Sequence, residues 1–244
     1  MSENKAIGVM DSGVGGVTVL AEAMKRLPEE DYLYFADTLH VPYGNKPKKE
    51  VKQYIFSAVE QMTACGIKAL VIACNTATSI AVQDLRNRYD FPIIGMEPAV
   101  KPAVQRTNGM DKRVLVFATS LTLRESKFKQ LVSLVDRHHI VDSEPLPGLV
   151  ELAERGIFTG PEPEAYLQSV LSRYDWSRYG TVVLGCTHFP LFEPVFRKLL
   201  PPEIALIDGA PGTVRHLTSI LQTNHLLGKG GGQIRFLSSG RIRE

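Results

Sequence analysis

Short β-branched runs alternate with amphipathic stretches along nearly the whole chain, and no other feature constrains its fold as strongly. Ile7–Met10, Tyr32–Ala36, Ala69–Ala73, Pro92–Gly95, Arg113–Ala118, Thr181–Gly185 and Ile204–Ile207 read as strands. Helical periodicity lies between most of them. It is clearest over Lys48–Thr63, where Val51, Tyr54, Ile55, Ala58, Val59 and Met62 recur every three or four residues. Strands joined through helices pair in parallel, with helices covering both faces of the sheet. Ligands of such α/β sheets sit outside the carboxyl ends of the strands, so functional side chains are expected where strands end.

Three strand exits carry reactive or polar side chains: Asp11-Ser12-Gly13, Cys74-Asn75-Thr76 and Cys186-Thr187-His188. The last two are alike. Leu70-Val71-Ile72-Ala73-Cys74-Asn75-Thr76 and Val182-Val183-Leu184-Gly185-Cys186-Thr187-His188 each place a thiol and polar neighbours on the end of an apolar strand. This likeness suggests an internal repeat, with two pseudo-symmetric α/β domains meeting so that one cysteine lies on each side of a shared cleft. Turn-rich segments at Met96-Glu97-Pro98 and Asp208-Gly209-Ala210-Pro211-Gly212 are the expected hinges. The expected domains are then 1–97 plus 210–244, carrying Asp11 and Cys74, and 98–209, carrying Cys186. Gly228–Gly232 reads as a flexible turn before a last strand at Gln233–Leu237.

A net charge of +2, with Lys and Arg scattered, argues against a nucleic-acid footprint and for a small-molecule partner. No apolar run approaches the roughly 18 residues of a membrane span, and the start MSENKAIGVMDSG has no signal-peptide core, so a cytoplasmic protein is expected. Cys65, Cys74 and Cys186 are too few for a disulfide framework and form no CxxC, which fits free thiols. Cys-x-His with the other cysteine far away does not match zinc spacings, so no metal is expected.

The thiolate is the reactive form of cysteine, and a helix N-terminus lowers its pKa of about 8.5. Cys74 and Cys186 occupy such positions, whereas Cys65, on a helix before Gly66, reads as a packing residue. His188, two residues past a thiol, suits a proton partner or substrate clamp. Asp11-Ser12-Gly13-Val14-Gly15-Gly16, with Asp37 after the next strand, raises a dinucleotide-binding alternative. Thr18 stands where its third glycine belongs, however, and Asp11 puts a carboxylate where a pyrophosphate would bind. A redox-sensing thiol protein is a third reading, which requires a Cys74–Cys186 disulfide. Lys48-Lys49-Glu50 reads as an exposed helix start without function.

Four segments taken together, Asp11–Gly16, Pro42-Tyr43-Gly44, Ala73-Cys74-Asn75-Thr76-Ala77 and Gly185-Cys186-Thr187-His188-Phe189-Pro190, resemble the signature segments of glutamate racemases, in order and in spacing. The resemblance implies two α/β domains around a cleft, no cofactor, and interconversion of L- and D-glutamate in a bacterial cytoplasm for peptidoglycan synthesis. A homodimer is expected. By position, Cys74 and Cys186 match the two catalytic cysteines. Asp11-Ser12, Tyr43-Gly44, Asn75-Thr76 and Thr187-His188 match the substrate-binding pairs, and Glu151 matches an assisting acid. Asp11 and His188 are further expected to serve the thiols, and Thr119 and Thr122 to contact a carboxylate, although Ala118 stands where the family has Gly. Ser239-Gly240-Arg241 departs from the family's acidic residue after Ser-Gly, which bears on the final helix and the dimer contact. The nearest rival is a sister two-cysteine isomerase such as an aspartate racemase, with the same chemistry and a different side-chain pocket.

Overall fold

A computed structural model describes residues 5–107 and 111–240; residues 1–4 and Arg241, on which two of the terminal readings rest, lie outside the described residues. The first half runs β1 (Ala6–Asp11), α1 (Val17–Arg26), β2 (Tyr32–Ala36), α2 (Lys48–Ala64), β3 (Ile67–Ile72), α3 (Asn75–Arg88) and β4 (Ile93–Gly95). The second runs α4 (Val100–Thr107), β5 (Arg113–Ala118), α5 (Ser120–Arg124), α6 (Ser126–Val135), β6 (Val141–Pro145), α7 (Pro147–Glu154), α8 (Pro161–Leu171), β7 (Tyr179–Leu184), α9 (Glu193–Leu199) and β8 (Ala205–Asp208). The chain then returns to the first half through α10 (Ala210–Thr223) and β9 (Ile234–Ser238).

The strands form two sheets, β4-β3-β1-β2-β9 and β6-β5-β7-β8, with parallel pairing throughout the described residues. Adding four to each number in β4-β3-β1-β2 gives β8-β7-β5-β6, the second sheet read from its other edge. Even the irregularities correspond. The β1–β3 register slips between Ala6 and Ile7, and the β5–β7 register between Arg113 and Val114. The repeat suggested by the twin cysteine segments is therefore a property of the whole topology.

Each sheet is covered on both faces. In the first, Met10, Leu70 and Ile72 face Val51, Ile55 and Val59 of α2, while Ile7, Val9 and Val71 face Val19 of α1 and Val214 and Leu217 of α10. In the second, Phe117 and Leu184 pack with α7, α8 and α9, and Val114, Val116 and Val183 with α4 and α6. Burial on both sides explains why the central strands read as continuous apolar runs instead of alternating ones. The chain crosses between the two sheets twice, after β4 and after β8.

Two features differ from the sequence reading. β6 went unrecognised because Val-Asp-Ser-Glu-Pro has a poor strand composition; it is an edge strand, held by β5 and by Arg113 Nε and Nη2, which donate to Asp142 at 2.6 and 2.7 Å. The glycine-rich segment before β9, read as flexible, is tied down. Gly228 N donates to Glu30 Oε1 (2.7 Å), and Gly231 N and Gln233 N donate to Asp31 Oδ1 (3.1 and 2.9 Å). Glu30 is itself buried and paired with Lys68, so the segment is anchored to the first sheet and β9 joins β2 in parallel.

Candidate active site

The carboxyl ends of both sheets face one cleft, lined by Ser12, Tyr43, Gly44, Cys74 and Thr76 from the first half and by Thr119, Cys186, Thr187 and His188 from the second. Cys74 and Cys186 are both buried, and each follows the third strand of its half. Cys74 is the N-cap of α3, its Sγ accepting from Ala77 N at 3.4 Å and its thiol donating to Ser12 Oγ at 3.7 Å. Burial, the Asp11 charge and the second sulfur push it up to about 12, against the pull of the Ala77 amide and Ser12. Cap placement alone does not make this thiol acidic: desolvation wins.

The other sulfur has a different neighbour. Cys186 Sγ lies 3.6 Å from His188 Nδ1, and His188 Nε2 lies 2.6 Å from Glu154 Oε1. Burial alone would lower the imidazole's pKa. Hydrogen bonds to Cys186 and Glu154, with the negative charge of Cys186 and Asp11, override it and push His188 up to about 10. In its protonated form the ring donates to both partners at once.

Asp11 ends β1 fully buried. Its Oδ2 accepts from Gly13 N (3.1 Å) and Gly16 N (3.0 Å), and its Oδ1 accepts from the Thr187 hydroxyl of the other half at 3.2 Å. Burial raises its pKa, opposed by His188 and the two amides. The carboxylate thus occupies the amides that a pyrophosphate would need, which removes the dinucleotide alternative at this turn. On the opposite wall Thr76, Thr119 and Thr122 form a triangle of hydroxyls, 2.9, 3.1 and 2.9 Å apart. Gly44 sits against Thr119 so closely that a Cβ there would lie 2.9 Å from the Thr119 Cβ.

Two of the residues singled out by sequence are not gathered here. Glu151 is exposed on α7 and does not line the cleft; the carboxylate that reaches His188 is Glu154, which also accepts from Val14 N at 2.9 Å and so bridges the halves. Leu149-Val150-Glu151-Leu152-Ala153-Glu154 offers two carboxylates and no local signal to choose between them. Asn75 is buried beside Cys74, yet its side-chain Nδ2 and Oδ1 have no partner and face an adjoining hollow bordered by Thr78, Glu97 and Lys127. No sequence signal marks Tyr34, whose hydroxyl donates to Gly13 O (2.7 Å), or Glu125, which pairs with Lys48 of the first half at 2.5 Å. Lys48 therefore does more than begin a helix. Among the described residues no three His, Cys, Asp or Glu side chains converge as a metal-binding set, and no helix is long and apolar enough to cross a membrane.

Both the sequence and the fold have known counterparts. The sequence profile of the Asp/Glu/Hydantoin racemase family matches residues 7–217. Glutamate racemase 2 of Bacillus subtilis is 55% identical over 96% of this chain and 88% of its own length, and the glutamate racemase of Halothermothrix orenii is 57% identical over 98% and 94%. The crystal structure of Francisella tularensis glutamate racemase with D-glutamate superposes with a TM-score of 0.84 at 28% identity, covering 98% of this chain and 89% of that one. A profile spanning most of the chain and relatives at this identity over nearly all of it place the protein: it is an isomerase of the Asp/Glu/Hydantoin racemase family and belongs among that family's glutamate racemases.

Proposed function

We propose that the protein interconverts L- and D-glutamate by moving one proton on and off the α-carbon with Cys74 and Cys186 as opposed acid and base. The observation that carries this reading is the pair of buried sulfurs on one cleft, each from its own half of the molecule and each with a different proton partner. In the L-to-D direction the Cys186 sulfur, beside a cationic His188, takes the α-proton. The C–H electron pair stays on carbon and spreads into the α-carboxylate, and the Cys74 thiol delivers its proton to the opposite face. Turnover leaves Cys186 protonated and Cys74 as thiolate, so D-glutamate is processed by the same steps in reverse. Hydroxyls of Thr76 and Thr119 and main-chain amides at the exits of β3 and β7 are suited to hold the carboxylates and the charge that develops on them. Asp11 would accept from the substrate ammonium or relay a proton to Cys74.

On this reading the reaction needs no cofactor and supplies D-glutamate for peptidoglycan in a bacterial cytoplasm, and the enzyme is a homodimer whose protomers fold as domains 1–97 plus 210–244 and 98–209. The test is optical: purified protein with L-glutamate and no added cofactor loses optical rotation, aspartate is turned over far more slowly, and EDTA has no effect. Cys74→Ser and Cys186→Ser abolish racemisation, whereas exposed Cys65→Ser behaves as wild type. With a glutamate analogue carrying a β leaving group, Cys186→Ser eliminates mainly from the D-form and Cys74→Ser from the L-form. The same enantiomer preference in both variants, or an inactive Cys65→Ser, would sink the opposed-thiol reading. Equal rates on aspartate would move the protein to the sister activity.

A further inference from the structure

We infer that Asp37 is a positioning residue for glutamate binding, its buried carboxylate holding the Pro42-Tyr43-Gly44 wall of the cleft in place through the Tyr43 hydroxyl. The inference rests on the glutamate reading above and adds to it a residue outside the thiol machinery. Pro42, Tyr43 and Gly44 line the cleft, yet the Tyr43 side chain does not serve it: the residue is 1% exposed and its hydroxyl donates to Asp37 Oδ2 at 2.5 Å. What this turn presents to a ligand is its main chain, and the phenol is its anchor. Burial and the Asp37 charge push the phenol's pKa well above its ordinary value, so it remains a donor across the working pH range.

Asp37 is held as tightly as it holds. It follows β2, is 2% exposed, and its amide donates to Asp11 O at 3.0 Å, so it is fixed to the strand that ends in the catalytic carboxylate. Its main-chain oxygen accepts from His40 N and Val41 N (3.1 and 3.2 Å), which folds the loop back toward the cleft. Its second carboxylate oxygen lies 2.7 Å from His40 Nδ1, and the His40 ring stacks on Tyr54 of α2 at 3.7 Å. A single buried carboxylate thus ties together the loop start, the loop middle and the wall residue. Tolerance is small on the far side, because Gly44 already touches Thr119 of the other half. Neither sulfur is carried by this loop: Cys74 is held by α3 and Cys186 by the exit of β7. Loosening it should weaken substrate binding and leave proton transfer nearly intact, the pattern of a lost interaction made equally in ground and transition states.

The test uses full-length enzyme with wild type, Asp37→Asn, Tyr43→Phe and the double variant, measuring kcat and KM for both glutamate enantiomers. Each single change is expected to raise KM about tenfold with kcat within about threefold. Because the two groups act as one, the double variant should be no worse than the weaker single. An active wild type whose variants melt lower but keep its KM, or a double variant whose fold rise in KM is the product of the two single rises, overturns the positioning role alone. A wild type inactive on glutamate overturns the functional reading and this inference together. If Asp37→Asn does not fold, Tyr43→Phe decides the question, since it leaves the carboxylate, His40 and the ring in place: a raised KM supports the role, and an unchanged KM removes it.

Discussion

Glu154 and Asp11 are two carboxylates at one cleft with opposite effects on stability. His188 is held at about 10, above the ordinary imidazole value, so its protonation stabilises the fold fully below about pH 6.5 and progressively less as pH climbs through about 10. Glu154→Gln removes a charged acceptor from the ring and keeps an oxygen for Val14 N. The expected result is a kcat lowered by about 10- to 100-fold and an alkaline limb of the pH–rate profile moved toward neutrality, with exposed Glu151→Gln unchanged. Kinetics on both variants across pH 6 to 10 check it; equal losses would mean that neither carboxylate is specific to the histidine. Asp11 works the other way. A carboxylate whose folded pKa is raised costs stability once pH exceeds its unfolded value, so Asp11→Asn should melt no lower than wild type at pH 7 while losing at least about tenfold in kcat. A large fall in melting temperature would show that the charge serves the fold. Cys74, Cys186, Asp11 and His188 were legible in sequence because each follows an apolar run that can only be a strand. Glu154 and Asp37 were not legible in these roles, since what distinguishes them is a partner far away in sequence or across the cleft.

At the scale of elements, the buried strands announced themselves and the edges did not. β2 and β5 have the bounds their residues suggest, and β1, β3, β4, β7 and β8 differ by a residue or two at their ends. These strands are apolar because both faces are covered, and nothing else in the sequence looks like them. β6 is specified by what it pairs with, not by its own composition. Asp142 on this strand accepts from Arg113 and from the Tyr179 hydroxyl at 2.8 Å, joining three adjacent strands. The Arg113 and Asp142 side chains are 28% and 35% exposed, so solvent screens the pair. Asp142→Ala should then cost about 1 kcal/mol, a fall of about 2–4 °C in melting temperature, with kcat and KM unchanged because the network lies at the edge away from the thiols. A calorimetric scan beside the racemase assay checks both halves of that expectation; a loss of activity without loss of stability would contradict it.

For the whole molecule, the relation between the halves decides whether the two sulfurs address one carbon. The halves meet through Asp11–Thr187, Val14–Glu154 and Lys48–Glu125, and through the two crossings. The crossings touch: a Cβ added at Gly209 would lie 2.6 Å from the carbonyl oxygen of Glu97 and 3.2 Å from Met96 Cγ. Gly209 has an ordinary negative φ of −84°, so glycine is required there by space and not by backbone conformation. Since the nearest obstacle is main chain, Gly209→Ala can be accommodated only by parting the crossings, which rotates one half against the other. Displacements of this kind are costly in catalysis, where reacting atoms must align to within a fraction of an ångström. Gly209→Ala is therefore expected to lower kcat/KM by at least about tenfold and stability by about 1–3 kcal/mol. Gly212, three residues on in the first turn of α10, supplies the control. A Cβ there meets only Arg215 Nη2, at 3.8 Å, so Gly212→Ala should keep wild-type kinetics and gain about 0.4–1 kcal/mol from the less flexible unfolded chain. Measuring both alanine variants in parallel separates a geometric effect from a helix-propensity effect, and wild-type kinetics in Gly209→Ala would show that the crossings do not set the spacing of the thiols.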